Sequence, residues 1–155
     1  AREARLRDRA GESLDDILAA LNAIREKVVI VLSVNSLEYA YRSGRVNYLK
    51  AALSSLLKIK PIITLNDGKL QMSEMVRTRS KSLERIVSKI KDQFGNNPIR
   101  VAIVHAQDIE SAKNLKNQIT NVANVVETIY TELSISVAAN LGPKTIGIVA
   151  LPEEI

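Results

Sequence analysis

The sequence predicts an α/β domain, a sheet of about six strands, mixed or mainly antiparallel, flanked by helices. Three observations carry that expectation. Short β-branched runs alternate with longer segments of helical apolar spacing, as in α/β chains rather than sandwiches or bundles. One such run, PIITL at 61–65, meets Asn66, Asp67 and Gly68, a hairpin signal, so at least one strand pair is antiparallel and a purely parallel doubly wound sheet is disfavoured. The chain has 155 residues, 46% hydrophobic and 25% charged, enough for one domain that buries roughly 68–70% of its unfolded surface.

The first periodic segment starts at Ser13. Ser13 and Asp16 form an S-x-x-D helix start, and Leu14, Ile17, Leu18 and Leu21 recur on one face. The basic stretch 1–12 ahead of it reads as a short helix or a linker. VVIVLSV, residues 28–34, is continuously apolar and too short for a helix of this kind, which predicts a buried strand central in the sheet. Residues 37–41 and 47–57 follow as two short helices separated by the turn Ser43, Gly44 and Arg45. Pro61 opens the next strand, where its missing N–H is tolerated. Residues 69–76 return antiparallel to 62–65 across the Asp-Gly turn. Leu83, Ile86, Val87, Ile90 and Phe94 then keep one face of a helix, with Lys81, Arg85 and Lys89 along another, until Gly95, Asn96, Asn97 and Pro98 stop it. A strand at 100–105, a helix at 108–119, a strand at 125–131 and a final strand at 145–150 complete the domain.

Composition removes several kinds of chemistry. Cysteine is absent, so no disulfide or thiolate site is available and cytoplasm is the expected compartment. Residues 1–12 are charged rather than apolar, and no apolar run nears the roughly 18 residues of a spanning helix, so neither a leader nor a membrane span is expected. Aromatics make up 3% with no tryptophan, which makes the core aliphatic. GPKTIG at 142–147 has the glycine spacing of a phosphate loop without the Lys-Ser/Thr that follows it, and other glycines are isolated, so no nucleotide cofactor is expected. His105, the only histidine, ends a strand, either as a general base facing a cleft or as a residue satisfied by backbone or water. No orienting acid or nucleophile is identifiable beside it, which favours the second reading. Asp15 with Asp16 suits a helix N-terminus and Glu153 with Glu154 a surface segment, so no metal ligands and no catalytic residues are assigned.

The net charge of +5 is moderate and dispersed. Without stacking aromatics, a helix-turn-helix or an RNP motif, nucleic acid is not an expected partner. Arg77, Arg79, Lys81, Arg85 and Lys89 begin at a strand end and continue along a helix face, either a solvated cationic face or a surface for an acidic partner. Arg45 has two similar readings, a bond to local carbonyls or a partner contact. In NYLKAALSSLLKI at 47–59, Leu49, Ala52, Leu53, Leu56 and Leu57 read first as core packing and second as the wall of a slender apolar tunnel.

Four blocks then stand in order: LEYAYRSGRVNYLKAALSSLLKIKPIITLNDGKL from Leu37, MVRTRSKSLERIV from Met75, IRVAIVHAQD from Ile99 and SISVAANLGPKTIGIVAL from Ser134. Together they resemble the DegV family of bacterial fatty-acid-binding proteins, specifically the C-terminal of that family's two α/β domains. The resemblance implies that residues 1–155 form that single domain, without the family's N-terminal domain. It implies a noncatalytic carrier without cofactor that holds a long-chain fatty acid and presents it to a separate ATP-dependent kinase. A ligand-free scaffold or interaction domain that keeps the fold is the alternative. On the carrier reading, Leu53, Leu56, Leu57 and Ile62 wall the acyl tunnel. Ser43-Gly44-Arg45-Val46 stands for the family's Gly-Gly-Arg-Ile and Val76-Arg77-Thr78-Arg79 for its Val-Arg-x-Arg, which makes Arg45, Arg77 and Arg79 candidate contacts for an acidic kinase partner. Where the family has His-x-Gly-Pro-Gly, its histidine near the fatty-acid carboxylate, this chain has Asn140, Leu141, Gly142, Pro143 and Lys144. Asn140 can donate a hydrogen bond to a carboxylate but carries no titratable charge. Lys144, pointing inward, would offset that loss.

Overall fold

Strands β1 (Val29–Ser33), β2 (Lys60–Asn66), β3 (Lys69–Val76), β4 (Ile99–His105), β5 (Val125–Glu132) and β6 (Ile146–Pro152) form one sheet in the order β3-β2-β1-β6-β4-β5. Neighbouring strands run antiparallel except β4 and β5, so the sheet is mixed. The structure is a computed structural model describing residues 2–44, 59–66 and 68–153. Among these residues lie six helices: α1 (Arg2–Arg9), α2 (Leu14–Lys27), α3 (Glu38–Arg42), α4 (Arg79–Phe94), α5 (Ile109–Val122) and α6 (Ile135–Leu141). None is long and apolar enough to cross a membrane.

β1 is central, as its unbroken apolar run predicts. Val31 pairs with Thr64 on β2 and Ile148 on β6, and Leu32 pairs with Ile63 and Gly147. The hairpin closes at the pair Asn66 and Lys69, a two-residue loop of the kind Asp-Gly favours; Asp67 itself lies outside the described residues.

Because successive strand side chains point to opposite faces, this register divides the sheet into two unlike surfaces. Val31, Ile62, Val101, Ile103, Ile146 and Ile148 face α4 and α5, where they meet Leu83, Ile86, Ile90, Leu115 and Ile119 in one fully buried cluster. This is the main core. The second face carries Leu32, Ile63 and Val104, joined by Leu37 and Leu141 and by the half-buried Ile30, Met72, Ala102 and Val149.

Local chemistry fixes the helix starts. The Ser13 hydroxyl accepts from the Asp16 N–H, Thr78 from Lys81 and the Asp108 carboxylate from Ser111, each satisfying an otherwise orphaned donor of a first turn. Stretch 1–12 is largely the helix α1, tied to the sheet by Arg2 with Glu127 and Arg100 with Glu3, both at 2.6 Å. α6 is the element that spacing does not announce. Its Ile135 is 89% exposed and Val137 is also exposed, so only Leu141 is buried and no apolar stripe forms.

Gly147 marks the tightest approach in the sheet. A Cβ there would lie 2.2 Å from the Val31 carbonyl oxygen and 2.5 Å from Leu32 Cδ2. Gly147→Ala therefore forces two central strands apart and is expected to lower stability by about 1–3 kcal/mol, the usual range for overpacking. Urea unfolding measures this against Ser80→Ala on the exposed side of α4.

Candidate functional site

The ends of β1 and β4 meet the starts of β2 and β6 at one rim of the sheet: Ser33 pairs with Ile62 and Ile146, and His105 with Ile146. There the core turns polar. Ser33, Ser82, His105 and Thr145 are its buried polar residues. Arg79, at the first position of α4, organises the rim. Its Nη2 donates to the Asp108 carboxylate and to the Lys144 carbonyl (2.5 Å), and its Nε to Ser111 Oγ (3.4 Å). One planar fork thus joins α4, the start of α5 and the loop between α6 and β6.

That loop is closely determined. Lys144 has φ +61, a left-handed conformation uncommon for lysine. Its N–H donates to the Ala106 carbonyl and the Ala106 N–H to the Thr145 carbonyl, both at 2.8 Å. The Thr145 hydroxyl donates back to the Gly142 carbonyl at 2.8 Å. Gly142 has φ +85 and lies under the ring of Tyr39, which a Cβ would approach to 2.4 Å. Only glycine fits there, and α3 is thereby packed on the loop.

The amide of Asn140 donates to the Ser136 carbonyl at 2.7 Å, so one of its N–H groups is committed within α6. Lys60 Nζ donates to the Asn35 carbonyl at 2.8 Å. Burial pushes the Lys60 amine below the usual lysine range, and Arg79 and Lys144 add to the shift. At His105, Nδ1 accepts from the Asp108 N–H at 3.4 Å, the backbone-satisfied arrangement. Burial alone raises the Asp108 carboxyl; the Arg79 and Ser111 hydrogen bonds together outweigh it and hold the group below the usual carboxylate range.

The basic face divides on inspection. Lys81 pairs with Glu84 (2.9 Å), while Arg85 (2.7 Å) and Lys89 (2.9 Å) both pair with Glu74 on β3. The Lys89 hydrogen bond is the main reason that the Glu74 carboxyl lies low. These cations are neutralised within the fold. Arg77 is exposed and has no ion pair among the described residues.

At the opposite end of the second face a cavity of about 280 Å³ opens between α2 and the sheet, lined by Leu21, Ile24, Ala102, Ile129, Val149 and Leu151. Arg2, Glu3, Arg100 and Glu127 fence its mouth with the two ion pairs that hold α1. The walls are aliphatic, as a sequence with few aromatics requires.

Arg79 sits at the rim; Arg77 lies two residues before it, between β3 and α4, and Asn140 lies in α6, bonded to Ser136. Ile62 stands apart from the second face: it is fully buried in the main core, and Ile63 occupies the second face instead. Arg45, Leu53, Leu56 and Leu57 lie outside the described residues. Sequence reasoning missed Lys60 and Asp108, whose proximity to Arg79 depends on pairing distant segments. The lysine before Pro61 and the helix-starting aspartate were the available signals.

The profile described as "Uncharacterised protein, DegV family" matches residues 1–153. The chain belongs to the DegV family. A DegV domain-containing protein of Staphylococcus aureus strain MRSA252 is 31% identical over 145 residues, 91% of this chain and 51% of that protein. A fatty-acid-binding DegV family protein from Thermus thermophilus superposes with TM-score 0.84 at 28% identity, covering 96% of this chain and 54% of that one. A DegV lipid-binding protein from Thermotoga maritima shares the fold with TM-score 0.88 at 24% identity, covering 99% of this chain and 54% of that one. The chain spans about half the length of the curated DegV relatives it matches.

The Arg79–Asp108 pair makes a pH prediction. A carboxyl held low in the folded state contributes stability that is present above its unfolded pKa, about 4, and is lost as pH falls through the folded value. Asp108→Asn is expected to cost about 1.5–3 kcal/mol at pH 7, the range for hydrogen bonds to charged groups. It should also flatten the decline in stability below pH 4. Urea midpoints across pH 2.5–7 test both parts; parallel curves for the two proteins would remove Asp108 as an acid-labile clamp.

Proposed function

We propose that this chain is the C-terminal domain of a fatty-acid carrier, in which the second face of the sheet forms one wall of the acyl site and the polar rim receives the head group. The observation that carries the proposal is the layout of that face. Between the rim and the cavity under α2, half-buried Ile30, Met72, Ala102 and Val149 flank the buried Leu32, Ile63 and Val104. From Ile146 at the rim to Leu151 at the cavity, five strand steps span about 17 Å at about 3.4 Å each. An extended chain of roughly 14 carbons covers that length, at about 1.25 Å per carbon for a zigzag of 1.5 Å bonds. The length suits a long-chain acyl group.

Fatty acid binding named for the Thermus thermophilus relative supports the same ligand class. On this reading the chain acts as a carrier and a separate kinase performs the chemistry. Arg77, exposed and unpaired among the described residues, is a proposed contact for an acidic kinase surface; Arg45, outside the described residues, is the second candidate that the family's pattern offers. Arg79 is engaged by Asp108 and serves to position the rim. The other half of the family's architecture would close the site from the side of Ile135, whose apolar side chain is 89% exposed. A second reading, a ligand-free interaction domain, draws support from the Asn140 amide bonded within its own helix.

Native mass spectrometry of the protein expressed from its complete reading frame is expected to show a co-purified fatty acid of about 14–18 carbons, following the length estimate above. Empty protein that also takes up neither palmitate nor oleate in calorimetry would defeat the carrier reading and leave the interaction domain. For the partner, Arg77→Glu is expected to weaken capture of the kinase at least tenfold while lipid content stays unchanged, a loss of about 1.4 kcal/mol or more. Unchanged capture would remove Arg77 from the interface.

A further inference from the structure

We propose that Lys60, Lys144 and Arg79 together form an oxyanion site at the sheet rim, one that takes a carboxylate or a phosphate group. Three cations stand at this rim, and Asp108, the carboxylate bonded to Arg79, already has its oxygens engaged by Arg79 and by the Ser111 N–H. The cations keep donors in reserve. Arg79 Nη1 is buried and finds no acceptor among the described residues, although Nε and Nη2 are committed. Lys60 spends one of its three N–H groups on the Asn35 carbonyl.

Topology makes the gathering durable. Lys60 pairs with Val76, three residues before Arg79, and the Lys144 carbonyl is held by Arg79 itself. The backbone of Lys144 is further fixed by its N–H bond to Ala106, so its side chain departs from a rigid point in left-handed geometry. Like charges held this close, in partly desolvated surroundings, repel one another. Burial depresses the Lys60 amine most, and the charges of Arg79 and Lys144 add to it; a bound anion would relieve that repulsion while accepting the unused N–H groups. Asn140, uncharged and bonded to Ser136, does not supply this charge.

The identification of the anion as a fatty-acid head group rests on the carrier reading; the oxyanion chemistry does not, and a free phosphate would use the same donors. The test compares three probes on the protein from its complete reading frame: palmitate, hexadecanol, which keeps the chain without the charge, and inorganic phosphate followed by amide NMR shifts. Lys60→Gln/Lys144→Gln is expected to weaken palmitate at least tenfold, as loss of charge-assisted hydrogen bonds predicts, with hexadecanol unchanged within about twofold. Lys144→Gln alone, at an exposed side chain, should shift palmitate in the same direction by less. Palmitate that is unaffected, or both lipids weakened equally, overturns the site. If neither lipid binds but phosphate shifts amides near residues 60, 79 and 144 in the parent and not in the double variant, the oxyanion site stands and the carrier reading falls. No response to any probe overturns both.

Discussion

The rim depends on one guanidinium. Arg79 reaches Asp108 and Ser111 on one side and the Lys144 carbonyl on the other, and so fixes the starts of two helices against the loop that feeds the central strand β6. A lysine could neutralise Asp108 but could not span all three acceptors, because an ammonium lacks the planar fork. The left-handed Lys144, the Ala106 bonds and the packing of Tyr39 on Gly142 all follow from where that loop is held. Backbone strain of this kind survives only where surrounding contacts over-determine it.

The sheet acts as a partition between two kinds of apolar surface. Toward α4 and α5, isoleucine, leucine and valine interlock with almost no exposure, which gives the rigidity that a fixed site needs. Toward α2 and α6 the buried cluster is smaller, Ile30, Met72, Ala102 and Val149 around it remain half-buried, and a cavity persists. A binding surface needs this contrast, since a face packed to the density of the first would have no room for a ligand. The ion pairs at α1 add a polar fence to an otherwise aliphatic pocket.

What was legible in the sequence was local. The Asp-Gly hairpin, the apolar stripe of α4 and the Ser13 cap each arise from residues within a few positions of one another. What was not legible depended on distance or on parity. Arg79 meets partners 29 and 65 positions away, and Glu74 neutralises Arg85 and Lys89 from a neighbouring strand. PIITL offers no polar alternation to say which isoleucine faces which side, and the register shifts between Ile62 and Ile63. Ile62, expected as a tunnel wall, falls on the main-core side of that step and Ile63 on the second face. α6 escaped notice because its apolar residues point outward, against the usual inference from periodicity.

The position of β6 carries a consequence for how the fold is reached. It is later in sequence than both strands it separates, and Val29 pairs with Ala150, with 120 residues between them. Until β6 arrives, β1 and β4 each expose an unpaired edge, and the aliphatic side chains of the main core have no continuous sheet to close upon. Contacts of such separation slow folding because loop-closure entropy must be met before the pairing stabilises anything. A nascent chain emerging from a ribosome therefore holds its hydrophobic centre open until the last strand of the sheet is synthesised, an interval in which chaperone binding and edge-to-edge aggregation compete with completion.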